Sequence, residues 1–215
     1  MNIFTVRHGE SDKDKSKKDW QYPLTNKGCI QASVAGKFLK DFFLNHQLNF
    51  QKSIIIYSPY FRTKQTAEII NKILPIQTQT MTNIIEYQKN SSILDGENIQ
   101  NYNKSLLESN PLLKNLFQEN LKIDTNETPS ELTLRANQAI LSISNSNFEN
   151  VILVTHNGFI RAFDIAFLNK PIDEYFAPQK IRNCSIRHYE ITKENNHLYH
   201  GEILEKAKQE ENLEK

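Results

Sequence analysis

The sequence predicts an α/β fold built around a mostly parallel sheet with helices on both faces. Three short apolar runs carry this expectation: residues 2–7, 53–58 (SIIIYS) and 150–155 (NVILVT). Each is rich in β-branched residues and nearly continuous, where a strand with one solvated face would alternate. Segments with helical periodicity lie between the runs, so strands and helices alternate along the chain as they do in parallel-sheet domains.

Taken in order, residues 2–7 form the first strand. Ile30, Val34, Phe38 and Phe42 recur every four residues and predict a helix with that stripe turned inward. After the 53–58 strand, Ser58 and Pro59 suit an N-cap and a first helical position, and Ala67, Ile70 and Leu74 give the next helix its apolar stripe. Residues 76–81 (IQTQTM) alternate like another strand. Thr128-Pro129-Ser130-Glu131 is a capping signature for a third helix, with Leu132, Ala136, Ala139 and Ile143 facing inward. Residues 185–192 and 197–204 read as a hairpin around Glu194-Asn195-Asn196. The polar stretch 88–126 reads as an insertion over one end of the sheet, and 205–215 as a charged tail, frayed or disordered. The expectation is one domain over 1–204.

Composition narrows the function. The 26 Lys plus Arg against 25 Asp plus Glu leave a formal charge of +1, so no global field draws the protein to nucleic acid or to an anionic membrane. No apolar run approaches the roughly 20 residues of a membrane-spanning helix, and the chain opens on a strand pattern instead of a signal peptide, which predicts a cytoplasmic protein. Cys29 and Cys184 are too few for a disulfide framework and lack zinc-ligand spacing, so both are expected to be buried, small apolar residues.

The chemistry lies where strands end. His8 follows the first strand, with Arg7 before it. Arg62 comes just after the 53–58 strand, Glu86 after the 76–81 strand, and His156 after the 150–155 strand. Ligands of open α/β sheets bind outside the carboxyl ends of the strands, so these residues should meet in one crevice. Two arginines, two histidines and one carboxylate make a positive pocket with one proton donor, which suits a phosphoryl group. Neutral His8 would attack phosphorus in line. Arg7, Arg62 and a protonated His156 would hold the equatorial oxygens, and Glu86 would protonate the leaving oxygen and then activate water.

The motifs "RHGES" at 7–11, "LTNKGCIQA" at 24–32, "SPYFRTKQTA" at 58–67, "VTHNG" at 154–158 and "RNCSI" at 182–186 resemble those of the histidine phosphatase superfamily, which includes the phosphoglycerate mutases. The resemblance covers residues 3 to about 185. It implies a three-layer α/β fold, a covalent phosphohistidine on His8, phosphate binding by Arg7, Arg62 and His156, and neither metal nor other cofactor.

Departures from the family pattern shape the rest. The segment "ESDKDKSKKDWQYPLT" lacks the Trp-Asn pair of mutases, and no Arg-His-Tyr-Gly run follows Glu86, so hydrolysis is favoured over transfer. Glu97 is a reserve candidate for the acid. Asn157 replaces a common glycine; it tolerates left-handed backbone and is expected to line the phosphate pocket. The reading is a histidine acid-type phosphatase, a phosphoric monoester hydrolase acting on a small phosphorylated substrate or a phosphoprotein. A mutase-type phosphoryl transferase and a non-catalytic phosphate-binding regulatory domain are the alternatives.

Overall fold

The computed structural model describes residues 1–14, 16–87, 127–177 and 181–204. Residues 1–87 and 129–204 belong to one compact unit, and that unit is described below. The expected insertion at 88–126, the reserve acid Glu97 and the tail lie outside the described residues.

Successive residues of the central strands turn to opposite sides of the sheet, and both sides are apolar. Strand β1 (Asn2–Arg7) sends Ile3 to one core and Phe4 and Val6 to the other. Strand β2 (Ser53–Tyr57) divides Ile54 and Ile56 from Ile55 in the same way. The strand Asn150–Thr155, here β4, divides Val151 and Leu153 from Ile152 and Val154, and every residue of it is buried. The unbroken apolar runs are thus explained: each strand feeds two cores.

Helices α1 (Asn26–Asn45) and α2 (Phe61–Ile73) cover the face of Phe4 and Val6. Helices α3 (Pro129–Ser144) and α4 (Asn157–Leu168) cover the other. With β3 (Gln77–Thr80), β5 (Ile186–Ile191) and β6 (His197–Glu202), the sheet runs β3-β2-β4-β1-β5-β6. The first four are mutually parallel, and the hairpin β5-β6 joins antiparallel to β1. This is the expected three-layer α/β sandwich. No helix among the described residues is long and apolar enough to cross a membrane.

Several local expectations need correction. The predicted stripe of α1 holds at Val34, which is buried, and at Phe38 and Phe42, which pack partly buried on the same core; Ala32, Ala35, Leu39 and Phe43 complete the inward face, and Ile30, 45% exposed, falls outside it. The four-residue recurrence slips around a helix of 3.6 residues per turn, so it cannot follow one face for long. Helix α2 starts at Phe61 with Tyr60 at its N-cap, and Ser58 does not cap it. Helix α4 has no counterpart in the sequence reading, although its buried Phe159, Phe163 and Phe167 recur at helical spacing. Cys184 is buried, but Cys29 is only partly so.

Two close contacts set the end of β1. A Cβ on Gly9 would stand 2.5 Å from the Gly28 carbonyl oxygen, and one on Gly28 would stand 2.0 Å from that of Glu10. The first turn of α1 therefore packs backbone to backbone on the loop after His8, an approach open only to glycine. On the other side, Cys184 takes a left-handed φ of 56°, and its N–H donates to the Arg7 carbonyl at 2.9 Å.

Candidate active site

The sheet ladder runs one bond past the strands and places the first side chains. The His8 N–H donates to the Thr155 carbonyl at 2.9 Å, and the Ser58 N–H to the Val154 carbonyl at 3.0 Å. His8 and Ser58 therefore flank His156 at the carboxyl edge of β1, β4 and β2. The rings of His8 and His156 lie 5.2 Å apart, edge to face.

His8 is 5% exposed, and its Nδ1 lies 2.7 Å from the Gly9 carbonyl oxygen. A carbonyl only accepts, so Nδ1 carries the hydrogen and Nε2 keeps its lone pair. The Arg62 Nε–H donates to that Nε2 at 3.2 Å. Burial, then the Arg62 charge, holds the imidazole well below its usual pKa of 6.5, with smaller contributions from Arg7 and Lys13. The result is a neutral ring whose Nε2 lone pair is held by Arg62 and is free to attack once that bond is exchanged for one to a bound anion. The Asn183 side-chain amide donates to the His8 carbonyl at 2.8 Å and fixes the backbone below it.

Arg62 sits in the first turn of α2 and is 4% exposed. Its Nη1 donates to the Asp19 carbonyl at 2.5 Å and its Nη2 to the Asp19 carboxylate at 3.0 Å. The Tyr60 ring lies 4.9 Å from the Arg62 guanidinium carbon and 4.8 Å from the His156 ring, so it packs on both. Arg7 donates through Nη1 to the Ile181 carbonyl at 2.6 Å. Burial, the largest influence, lowers the Arg7 pKa, against the opposing pull of Glu86.

Glu86 follows the short turn Thr82–Ile84 after β3. Its Oε1 accepts from Gly158 N–H at 2.8 Å and from Tyr87 N–H at 2.9 Å, placing a carboxyl at the start of α4. Burial pushes its pKa upward from 4.5, opposed by those backbone donors and by Arg62 and Arg7. The group is a partly buried carboxyl whose desolvation favours its proton, while the two guanidinium charges in range oppose that. A Cβ on Gly158 would stand 2.5 Å from Glu86 Oε1, so the glycine of the VTHNG motif makes room for the acid.

His156 is the N-cap residue of α4 and is fully buried. Its Nε2 lies 2.8 Å from Ser58 Oγ, and its Nδ1 has no hydrogen-bond partner among the described residues. Burial first, then Arg62, holds its pKa well below 6.5. This corrects the expectation of a protonated His156: three arginine charges (Arg62, Arg135 and Arg7) reach a ring cut off from solvent, and a further positive charge is disfavoured. Asn157 opens α4, half-buried, and does not take the left-handed backbone considered for it. A buried cluster in which Arg187 and Tyr189 of β5 both bond Asp164 of α4 ties this helix to the sheet.

Thus His8, Arg62 and His156 converge, with Arg7 and Glu86 within electrostatic range. Three neighbours escaped the sequence reading. Ser58 reads in sequence as a helix cap, Asn183 sits inside the RNCSI motif with no signal of its own, and Asp19 has none beyond its place in a charged loop.

The model of the histidine phosphatase superfamily, branch 1, matches residues 3–202. The chain belongs to the histidine phosphatase superfamily. Among curated members, the mitochondrial serine/threonine-protein phosphatase PGAM5 of Xenopus tropicalis is 39% identical over 74 residues, 34% of this chain and 24% of that protein. The uncharacterized phosphatase PhoE of Bacillus subtilis is 36% identical over 87 residues, 39% of this chain and 41% of that protein. The matched stretch thus spans about a quarter to two fifths of these relatives. Among solved structures, a phosphoserine phosphatase of Entamoeba histolytica with 3-phosphoglyceric acid superposes with a TM-score of 0.65 at 18% identity, covering 95% of this chain and 98% of that one. The protein histidine phosphatase SixA with tungstate gives 0.59 at 14%, covering 93% and 94%. These likenesses establish the shared fold.

Proposed function

We propose that this histidine phosphatase homologue hydrolyses phosphomonoesters through a phosphohistidine on His8, as a histidine acid-type phosphatase. The observation that carries the proposal is the state of His8: Nδ1–H is committed to the Gly9 carbonyl, and the lone pair of Nε2 faces the Arg62 guanidinium.

In the first step Nε2 attacks phosphorus and forms the N–P bond while the P–O bond to the leaving group breaks. The proton of Glu86 passes to the leaving oxygen, which departs as an alcohol. The Gly9 carbonyl, already on Nδ1–H, stabilises the positive charge that develops on the ring. Arg62 and Arg7 carry charge beside the equatorial oxygens, and His156 adds a hydrogen bond. In the second step Glu86, now a carboxylate, takes a proton from water as the water oxygen attacks phosphorus. The N–P bond breaks, His8 returns to neutral and inorganic phosphate leaves. Protein guanidinium groups supply the fixed positive charge, which supports a metal-independent reaction. Asn157, beside His156, is proposed to line the same pocket.

The family model's span of 3–202 supports reading 1–204 as a single domain. Substrates are proposed to be small phosphorylated molecules or phosphoproteins, since relatives are named for both kinds. Cytoplasmic residence belongs to the same proposal, and cell fractionation tests it. Activity is tested with an aryl phosphate in the presence of chelator: turnover in the wild type and loss of at least about a thousandfold in His8→Ala are expected. Undiminished turnover in His8→Ala overturns the proposal.

A further inference from the structure

The roles above leave open which nitrogen of His156 carries the hydrogen. Ser58 and His156 are both fully buried, and Ser58 Oγ lies 2.8 Å from His156 Nε2. Either the hydroxyl donates to a bare Nε2, or Nε2–H donates to the hydroxyl oxygen. The other polar groups of Ser58 are already engaged: its N–H donates to Val154, and its carbonyl accepts from the Thr63 hydroxyl at 2.7 Å.

Among the described residues, His156 Nε2 is the one partner of the Ser58 hydroxyl. A proton on Nε2 would leave the hydroxyl hydrogen buried without an acceptor, and would turn a bare lone pair of Nδ1 toward any bound oxoanion. Buried donors left unmade are costly, and a lone pair repels an anion. A proton on Nδ1 gives the hydroxyl hydrogen its acceptor and leaves an N–H, unpartnered among the described residues, that a bound oxoanion satisfies.

We propose that Ser58 is a positioning residue whose hydroxyl donates to His156 Nε2, holding the ring as its Nδ1–H tautomer, a neutral donor to one oxygen of the phosphoryl group. The inference rests on the reading of this pocket as a phosphoryl site, which places an oxoanion beside His156. Arg62 and Arg7 supply charge, and His156 supplies direction. The Tyr60 ring, packed on the edge of His156, keeps the imidazole from turning to exchange its nitrogens.

Long-range 15N correlation spectra of histidine-labelled protein test this, with the His156 signals assigned by their loss in His156→Asn. In the wild type the Nδ1–H form is expected. In Ser58→Ala the ring should move to the Nε2–H form or a mixture. Vanadate and inorganic phosphate should bind about tenfold more weakly to that variant, and kcat/KM should fall by a similar factor with the circular dichroism unchanged. An Nε2–H ring in the wild type overturns the proposal without any variant, so poor folding of Ser58→Ala does not shield it. Wild-type tautomer and anion affinity in Ser58→Ala overturn it equally. A wild type that binds vanadate yet hydrolyses no phosphomonoester would sink the hydrolase reading alone, since tautomer and affinity still decide the role of Ser58.

Discussion

Asp19 occupies both arms of the Arg62 guanidinium, its carbonyl on Nη1 at 2.5 Å and its carboxylate on Nη2 at 3.0 Å. Those two oxygens stand where two oxygens of a phosphoryl group would bind a guanidinium fork. Arg62 is almost wholly buried, but the Asp19 side chain is 59% exposed, so the carboxylate is the partner free to leave. Exposure also limits the strength of the pair to about 1 kcal/mol. Asp19→Ala is expected to lower the inhibition constant of inorganic phosphate by about fivefold. Weaker inhibition would show that Asp19 instead holds Arg62 in place.

Glu86 should govern the alkaline limb of the rate profile. Burial raises its pKa, so it stays protonated above the usual carboxyl range, while the lowered pKa of His8 keeps the nucleophile neutral on the acid side. A bell-shaped profile of kcat/KM on the acid side of neutral is expected. Glu86→Gln should remove the alkaline limb and slow hydrolysis of alkyl phosphates about 100-fold or more, and aryl phosphates with acidic leaving groups much less. A uniform loss across leaving groups would deny Glu86 the role of acid.

Acid stability reads the same groups from the folding side. An unfolded imidazole takes up a proton near pH 6.5, but His8 and His156 in the folded protein do so only well below it. The unfolded chain therefore binds more protons as pH falls beneath 6.5, and each histidine subtracts stability by at most about 1.4 kcal/mol per pH unit. Glu86 acts with the opposite sign, because its raised folded pKa makes protonation favour the folded state. The comparison is thus the difference between wild type and His8→Asn/His156→Asn in urea melts. That difference should narrow on acidification from pH 7 to 5, and a constant difference would contradict neutral burial of the pair.

Gly158→Ala tests the seat of Glu86. The added methyl would stand 2.5 Å from Glu86 Oε1 and 2.8 Å from Tyr87 Cβ, so the carboxyl must move while the helix itself accepts alanine. A loss of at least about tenfold in kcat with an unchanged helical signal is expected, and kcat equal to wild type would show that the carboxyl position is not critical.

Much of this arrangement was legible in the chain because it depends on local order. A residue directly after a buried strand must emerge at the sheet edge, which located His8 and His156 without any coordinates. Buried stripes such as Leu132, Ala136, Ala139 and Ile143 were equally readable, since they repeat at the helical period. What escaped depends on contacts between distant segments. Ser58 has the chemistry of a cap, and only the neighbouring strand reveals that its hydroxyl meets His156. Asp19 lies in a loop whose path no periodicity records. The charge state of His156 depends first on its burial and then on Arg62 and the other charges brought close by folding, and pairwise spacing in sequence carries no trace of either.

The most direct measurement of the central claim is trapping of the covalent intermediate. Protein mixed rapidly with a phosphomonoester, quenched in alkali and digested should yield phosphate on the peptide containing His8, stable to base and lost in acid, within a single turnover. Phosphate on another residue, or turnover with no phosphorylated peptide at any mixing time, would contradict the account.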